Sequence, residues 1–377
     1  MIAWFRYICL IVSLIITMPE LLSAQRLVSQ RQEDVEAGLL YNESVYILSN
    51  YSCLSSNSPE KLSLDELLRK QIEGFYFYLK RDTETNVLLL RKPDGTFTPF
   101  SESLEAIKTA LDADSTKVMT LFLDFYVETE LESSFKEIGL MEYVLEYDTK
   151  NGWPSLKDML SSGKRLVVFE VQKHLNSPSW LHNMRDFVEH TDADWGNQPE
   201  GVESFDERLK KNLSLFTGYK FLETSRGNSN DISALARQTP YLIESFKRAW
   251  IRDGRVPNFI LVDKYYAWLD VSLVTFRNFD IIYGAVTNNN ELLNYVNWDG
   301  MSNYTTGKYC FPLEPGAELM LSPISPGYRI EPATVYVSGT QRKAFASDFK
   351  ARPLRIDEDI EICLLYTSDA ADEARSV

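Results

Sequence analysis

The sequence predicts an α/β protein built on a parallel sheet, and three observations carry that expectation. Short, almost wholly apolar runs recur along the chain, amphipathic stretches separate them, and each separation is long enough for the dozen or more residues of a parallel crossover. Runs such as Val118–Phe125 are apolar on both faces, as a strand covered on both sides requires.

In chain order the predicted strands are Val45–Leu48, Gly74–Leu79, Val87–Leu90, Val118–Phe125, Arg165–Glu170, Leu213–Phe216 and Phe259–Val262. Each is four to eight residues long and bounded by polar turns. The predicted helices are Leu64–Ile72, Ser101–Leu111 and Thr239–Trp250; Ser101 opens the second, and Pro240 sits where a first-turn proline is tolerated. Periodicity does not decide whether the sheet closes into a barrel. From about Trp298 the texture changes: Pro312, Pro315, Pro323, Pro326, Pro332 and Pro353 punctuate short runs such as Ala333–Val337. This predicts a short β-rich extension, the start of a second domain, or an irregular cap.

The 377 residues carry 54 acidic against 39 basic side chains, a net charge of -15. Such a field repels phosphate backbones and anionic membranes, so no nucleic-acid partner is expected. Residues 1–24 combine Arg6, the apolar run Tyr7–Ile16, Pro19 and a small residue at Ala24, which predicts a secretory signal peptide and a secreted or periplasmic protein. The apolar run is shorter than the ~20 residues of a membrane span, and no later segment approaches that length. Residues 25–42 form a polar leader. At the other end, Cys363–Glu373 (CLLYTSDAADE) resembles a translated sequencing-library adapter, so 363–377 is expected to be artefact. With Cys9 in the signal peptide and Cys363 in that segment, Cys53 and Cys310 remain, either as one bridge or as two buried thiols.

Motifs for phosphate loops, nucleophile elbows and zinc peptidases are absent from the sequence. His174, His182 and His190 are spaced by eight residues, a step that turns side chains by roughly 80° on a helix. They are expected on solvated loops or a helix face rather than around a metal. The sequons at Asn42, Asn50, Asn212 and Asn303 are read as coincidence unless the source is eukaryotic.

Three blocks are more specific: Val118–Val127, Gly139–Tyr143, and Trp153–Leu156 leading to Gly163–Phe169. Their order resembles the X-type catalytic domain of the phosphatidylinositol-specific phospholipase C-like phosphodiesterases. Gln71–Gly74, Phe100–Ala110 and Pro257–Asp263 extend the likeness over about residues 43–285. The resemblance implies a (β/α) TIM-type barrel with a site at the C-terminal ends of the strands; with the change of texture, the expected barrel runs over 43–297 and a β-rich extension or the start of a second domain over 298–362. It also implies cleavage of inositol phospholipids by a pair of histidines, one removing a hydroxyl proton and the other protonating the leaving oxygen.

The likeness breaks at those positions. Where the family carries its first His, this chain has Ser49-Asn50-Tyr51-Ser52, so Asn50 replaces the base; the second His position falls at Asp94-Gly95, with Arg91 as the other alignment. The strand-two pattern Gly-x-Arg-x-x-Asp reads Gly74-Phe-Tyr-Phe-Tyr-Leu79, placing Tyr76 where the cation would be. Asp124 stands where relatives carry a carboxylate, and Asp263 ends a late strand. Asn50, Tyr76, Asp94, Asp124 and Asp263 are therefore the expected barrel-mouth residues, and His174 is the one displaced imidazole. An amide has no useful basicity. The resulting expectation is an exported, catalytically impaired or inactive phospholipase C-like protein that binds a phospholipid headgroup, inositol or sugar-like ligand. The alternatives are an active phosphoric diester hydrolase using Asp94, Asp124 and His174, with Ca²⁺ or Mg²⁺ at Asp124, and an extracellular interaction module.

Overall fold

The computed structural model describes residues 31–53, 63–69, 72–125, 131–147, 150–172, 174, 177–192, 215–219, 247, 250–251, 254, 256–262, 277–301, 304–339 and 342–355. Contacts divide the chain into two units, one comprising Met1–Phe246 with Val256–Phe279 and the other Lys247–Arg255 with Asp280–Val377.

Strands β1 (Tyr46–Ser49), β2 (Gly74–Arg81), β3 (Leu88–Arg91), β4 (Phe97–Pro99), β5 (Met119–Asp124), β6 (Leu166–Glu170), β7 (Leu181–Asn183), β8 (Val188–Asp192), β9 (Leu215–Tyr219) and β10 (Phe259–Val262) make the sheet of the first unit. Eight of them run parallel in the order β7-β6-β5-β2-β1-β10-β9-β8. That order is a ring cut once. Strands consecutive in sequence are neighbours, and the first pairs with the last in the register Tyr46↔Phe259 to Ser49↔Val262. An open doubly wound sheet reverses its order midway and never joins its first strand to its last, so the topology is that of a (β/α) barrel. Among the described residues the ladder does not close: β7 and β8 lie at its two ends, joined by the single helical turn Met184–Phe187. A link that short cannot carry a crossover helix, which physically accounts for the seam.

The strand expectations for β1, β2, β5, β6 and β10 agree with the structure within two residues, and Leu213–Phe216 overlaps β9 at Leu215 and Phe216. Val87–Leu90 corresponds to β3, but β3 is not a parallel strand: it pairs antiparallel with β2 and β4 as an arm on the sheet. Helix Phe100–Ala113 follows directly and buries Phe100, Ser103, Leu104, Ile107 and Leu111, the three- and four-residue spacing of one helical face. Helix Leu156–Ser162 begins where the Ser155 hydroxyl accepts the Asp158 N–H at 3.1 Å, and it ends at Gly163 in the left-handed region (φ 73°). Most of the expected helix Thr239–Trp250 lies outside the described residues.

Strand alternation sorts side chains between two layers. Phe75, Phe77 and Leu79 of β2 are buried toward the helices, with Phe77 edge-on to Phe100 at 5.9 Å. The other parity faces the ring interior, where Phe122, Phe169 and Phe259, from strands that are not all neighbours, meet at 5.2–6.2 Å. Gly74 is required at the start of β2, because a Cβ there would run into the Leu48 side chain and the Thr120 carbonyl.

The base of the sheet is held by charge. Glu73, immediately before β2, pairs through Oε1 with the buried guanidiniums of Arg31 and Arg277, the latter at 3.2 Å, and through Oε2 accepts the Ile47 N–H at 3.2 Å. Its backbone N–H donates to Ile47 and its carbonyl accepts from Thr120. Residues 31–36 of the polar leader are helical, with Arg31 and Asp34 buried, so this part of the leader is built into the unit rather than trailing from it.

The second unit is β-rich. It contains β11 (Asp280–Asn288), β12 (Glu291–Leu292), β13 (Val296–Trp298), β14 (Tyr304–Thr305), β15 (Lys308–Leu313), β16 (Glu318–Leu321), β17 (Pro323–Ile324), β18 (Tyr328–Glu331), β19 (Val335–Ser338) and β20 (Lys343–Pro353). Strand β11 is central, antiparallel to β12 and β15 and parallel to β20. Trp298 anchors the core, edge-on to Tyr309 and Phe311 at 4.8 and 5.0 Å, and its indole N–H donates to Thr305. Cys310 is a buried thiol whose sulfur accepts the Trp250 indole N–H at 3.0 Å, while the side chain of Cys53 lies outside the described residues.

Replacing Glu73 with Ala removes the carboxylate shared by two buried guanidiniums. The expected loss is about 3–5 kcal/mol, read from urea unfolding of the whole chain; a change within experimental scatter would show that the cluster does not hold the base.

Candidate functional site

At the C-terminal ends of the parallel strands, termed the cup, the period-two alternation decides which side chains face the ring interior. Thr120 and Phe122 face the ring interior, so Asp124 at the end of β5 does as well. Register pairs Tyr76 with Phe122 and Tyr78 with Asp124, which puts both tyrosines on the same side. The Tyr76 hydroxyl donates to Asp124 Oδ2 at 2.8 Å, and the Gln172 amide reaches Oδ1 at 3.4 Å. Asn50 follows β1, whose Ser49 lies opposite Phe75 of β2 and Val262 of β10, so Asn50 is at the same end, beside Tyr76. Tyr76, Asp124 and Asn50 are half-buried.

Three of the five expected mouth residues thus come together. Asp263 lies outside the described residues. Asp94 is exposed in the β3–β4 turn, where its carboxylate accepts the Thr96 N–H and hydroxyl at 2.9 and 2.6 Å beside Gly95 in the left-handed region. Its charge is felt at the end of β1: burial, aided by the carboxylates of Asp94 and Asp65, pushes the Tyr51 hydroxyl up to about 12. Arg91, the other alignment, is exposed at the end of β3.

Two residues that the sequence did not single out organise this end. Ser52 accepts the Tyr78 N–H at 2.7 Å and donates to the Arg91 carbonyl at 3.0 Å, tying β1 to β2 and the arm. Gln172 follows β6 by two residues; a polar side chain just past a strand end was its only signal.

The histidines diverge from expectation. His182 is not solvated: it is buried in β7 against Trp153, Phe169 and Phe187, with Nε2–H donating to the Leu145 carbonyl at 3.2 Å. His190 lies in β8, and its side chain is outside the described residues. His174 is half-buried, its ring stacked on Phe125 at 4.5 Å and its Nδ1 2.9 Å from Glu170 Oε2, which also accepts from Ser177 at 2.6 Å. Asn183 donates to Glu170 Oε1 at 3.3 Å. Phe169 faces the interior, so Glu170 faces the helix side of β6. His174 therefore fastens the loop after β6 and does not enter the cup.

Asp124 accepts from the Tyr76 hydroxyl through Oδ2 and from the Gln172 amide through Oδ1, and among the described residues no three His, Cys, Asp or Glu side chains gather as a metal-binding group. The cup is suited to hydroxyl groups: it offers a carboxylate acceptor, a phenol and amides, with no imidazole among its described residues.

Strand order and cup together define a barrel-type α/β domain with its polar site at the strand ends. Residues 90–199 match the family model described as PI-PLC X 1. Among solved structures, the phosphatidylinositol-specific phospholipase C from Listeria monocytogenes is similar at 11% identity over 65% of this chain and 98% of its own, with a TM-score of 0.41. A double mutant of the phosphatidylinositol-specific phospholipase C from S. aureus is similar at 12% identity over 63% and 94%, with a TM-score of 0.40. No curated protein matches the sequence. Among the described residues no helix is long and apolar enough to cross a membrane.

Burial lowers the His182 pKa from 6.5. The unfolded chain therefore takes up this proton first as pH falls, and the stability contributed by neutral His182 is lost below about pH 6.5. Urea midpoints measured from neutral pH to about pH 5 are expected to fall, and to fall less steeply in His182→Gln. Parallel slopes in the two proteins would refute this assignment.

Proposed function

We propose that this chain is an exported phospholipase C-like protein that binds the hydroxyl-bearing ring of an inositol or sugar-like headgroup in its cup and is impaired in the two-histidine reaction. The observation that carries the reading is the hydrogen-bonded pair Tyr76–Asp124 beside Asn50 at the strand ends. Asp124 accepts hydroxyl protons, and Tyr76 and Asn50 complete a polar rim. Asn50 holds a hydroxyl but takes no proton from it, because an amide is not a base. The position aligned with the second His is Asp94, a carboxylate in the β3–β4 turn rather than an imidazole. Loss of an acid–base partner costs about 10²–10⁴ in rate, which supports the impaired reading. The signal-like segment at 1–24 supports export.

Calorimetric titration with myo-inositol is expected to show binding that weakens about tenfold in Tyr76→Phe and in Asp124→Asn, the worth of one well-formed hydrogen bond. Phosphatidylinositol vesicles are expected to release no inositol phosphate above buffer. Absence of binding would reject the ligand reading, and turnover abolished by Asp124→Asn would reject impairment.

A further inference from the structure

In the second unit, the sheet built on β11 has one face committed to the core and one partly open to solvent. Ile282, Val286, Tyr309, Phe311 and Phe349 are buried on the first. By alternation, Tyr283 and Ala285 of β11 lie on the second with Phe345 and Asp348, their partners on β20. Trp250 closes over Cys310 at one side of this face and leaves the β20 side uncovered.

A bulge in β20 shapes the open face. Tyr283 pairs with Phe345 but Ala285 pairs with Asp348, so β20 spends one residue more than β11 between them. In a regular strand, residues three apart point to opposite faces; here the bulge puts Phe345 and Asp348 on the same one. The core phenol of Tyr309 clamps it, donating to the Ser347 carbonyl at 2.8 Å and accepting the Ser347 N–H at 3.2 Å. Gly284 makes room, since a Cβ there would strike both the Ser347 carbonyl and the Tyr309 ring. Phe345 is 54% and Tyr283 37% exposed, forming a corner of two rings with centres 5.7 Å apart at 65°.

The charges round that corner are mainly positive. The Lys343 ammonium stands 5.3 Å from the centre of the Tyr283 ring, and Lys350 donates to Thr287 Oγ1 at 3.2 Å. Lys308, opposite Ala285, and Arg352, two residues beyond Lys350, share the parity. Against these four cations the face carries Asp348 and Glu331, and Glu331 is matched by Arg329 at 3.5 Å.

We propose that this face binds an acidic polysaccharide, one whose sugar rings carry carboxylates, with a ring laid on Phe345 and its carboxylates met by the lysines. The C–H groups of a sugar ring carry partial positive charge and suit the negative π face of an aromatic side chain. A carboxylate takes a charge-assisted hydrogen bond from an ammonium. An acidic peptide would meet the cations but leave the two rings uncovered. Charges are screened over about 8 Å at physiological salt, so the local sign of this face, rather than the net charge of -15, governs contact. The site lies within the second unit and stands whatever small ligand the cup takes.

The test is fluorescence anisotropy of labelled oligogalacturonate titrated with the full chain. Binding is expected and should weaken as salt rises, whereas labelled dextran, which is neutral, and labelled polyglutamate are expected to bind far more weakly. Phe345→Ala is expected to weaken oligogalacturonate binding about tenfold, and Lys343→Gln with Lys350→Gln by about as much. Asp348→Asn removes the one unmatched acid and is expected to strengthen it. Tyr336→Ser, at an aromatic residue of β19 that is 75% exposed, is the control and is expected to change nothing. Unchanged thermal midpoints show that the variants fold. No binding of oligogalacturonate, equal binding of dextran or polyglutamate, or an unaltered affinity in Phe345→Ala would overturn the assignment. A loss in Tyr76→Phe equal to that in Phe345→Ala would overturn it as well, since the sugar would then run through the cup.

Discussion

Pairing of the first parallel strand with the last is the constraint on which the first unit depends. Four residues of β1 lie in unbroken register with β10, more than 200 positions later in the chain. That ladder turns a row of strands into a curved wall with an inside and an outside. Because it brings both ends of the unit to one place, the base beneath it is also built from distant segments, with Arg31, Glu73 and Arg277 sharing one buried cluster. Buried charges of this kind add little net stability over apolar packing, but they penalise any arrangement that separates them. The cluster therefore specifies which strands meet.

Strand β2 shows how one sequence serves three surroundings. Its phenylalanines pack outward, Tyr76 and Tyr78 face the ring interior, and its last residues leave the parallel sheet to carry an antiparallel arm. A shift of one residue in register would exchange the first two sets and bury the phenol of Tyr76 among helices. Gly74 defends against that shift at the strand's first residue, where the backbone of Thr120 leaves no room for a side chain.

Much of the candidate site was legible because strand ends were. Val118–Asp124 reads as a buried strand with a carboxylate at its tip, and the same periodicity puts Tyr76 and Asp124 on one face. Asp94 lies in a hairpin turn rather than before a crossover helix. An Asp-Gly pair announces a turn, but whether the turn precedes a crossover helix or closes a hairpin depends on what the following residues pair with; here Phe97–Pro99 pair with β3 before the helix begins. His182 shows the opposite difficulty. Spacing among polar residues suggested solvent, whereas Leu181–Asn183 is a three-residue strand too short to announce itself by alternation, and burial comes from Trp153 and Phe187 closing over it.

By itself, the sequence determined the α/β class, most of the parallel strands and the β-rich texture of the C-terminal part, since each is written in local composition and period. Tertiary structure alone decided that first and last strands meet, that Glu170 holds His174 on the outer side of β6 rather than in the cup, and that β2 runs on into an arm. Those outcomes depend on which distant segments become neighbours, a quantity set by long-range packing and buried charge that no window of residues contains.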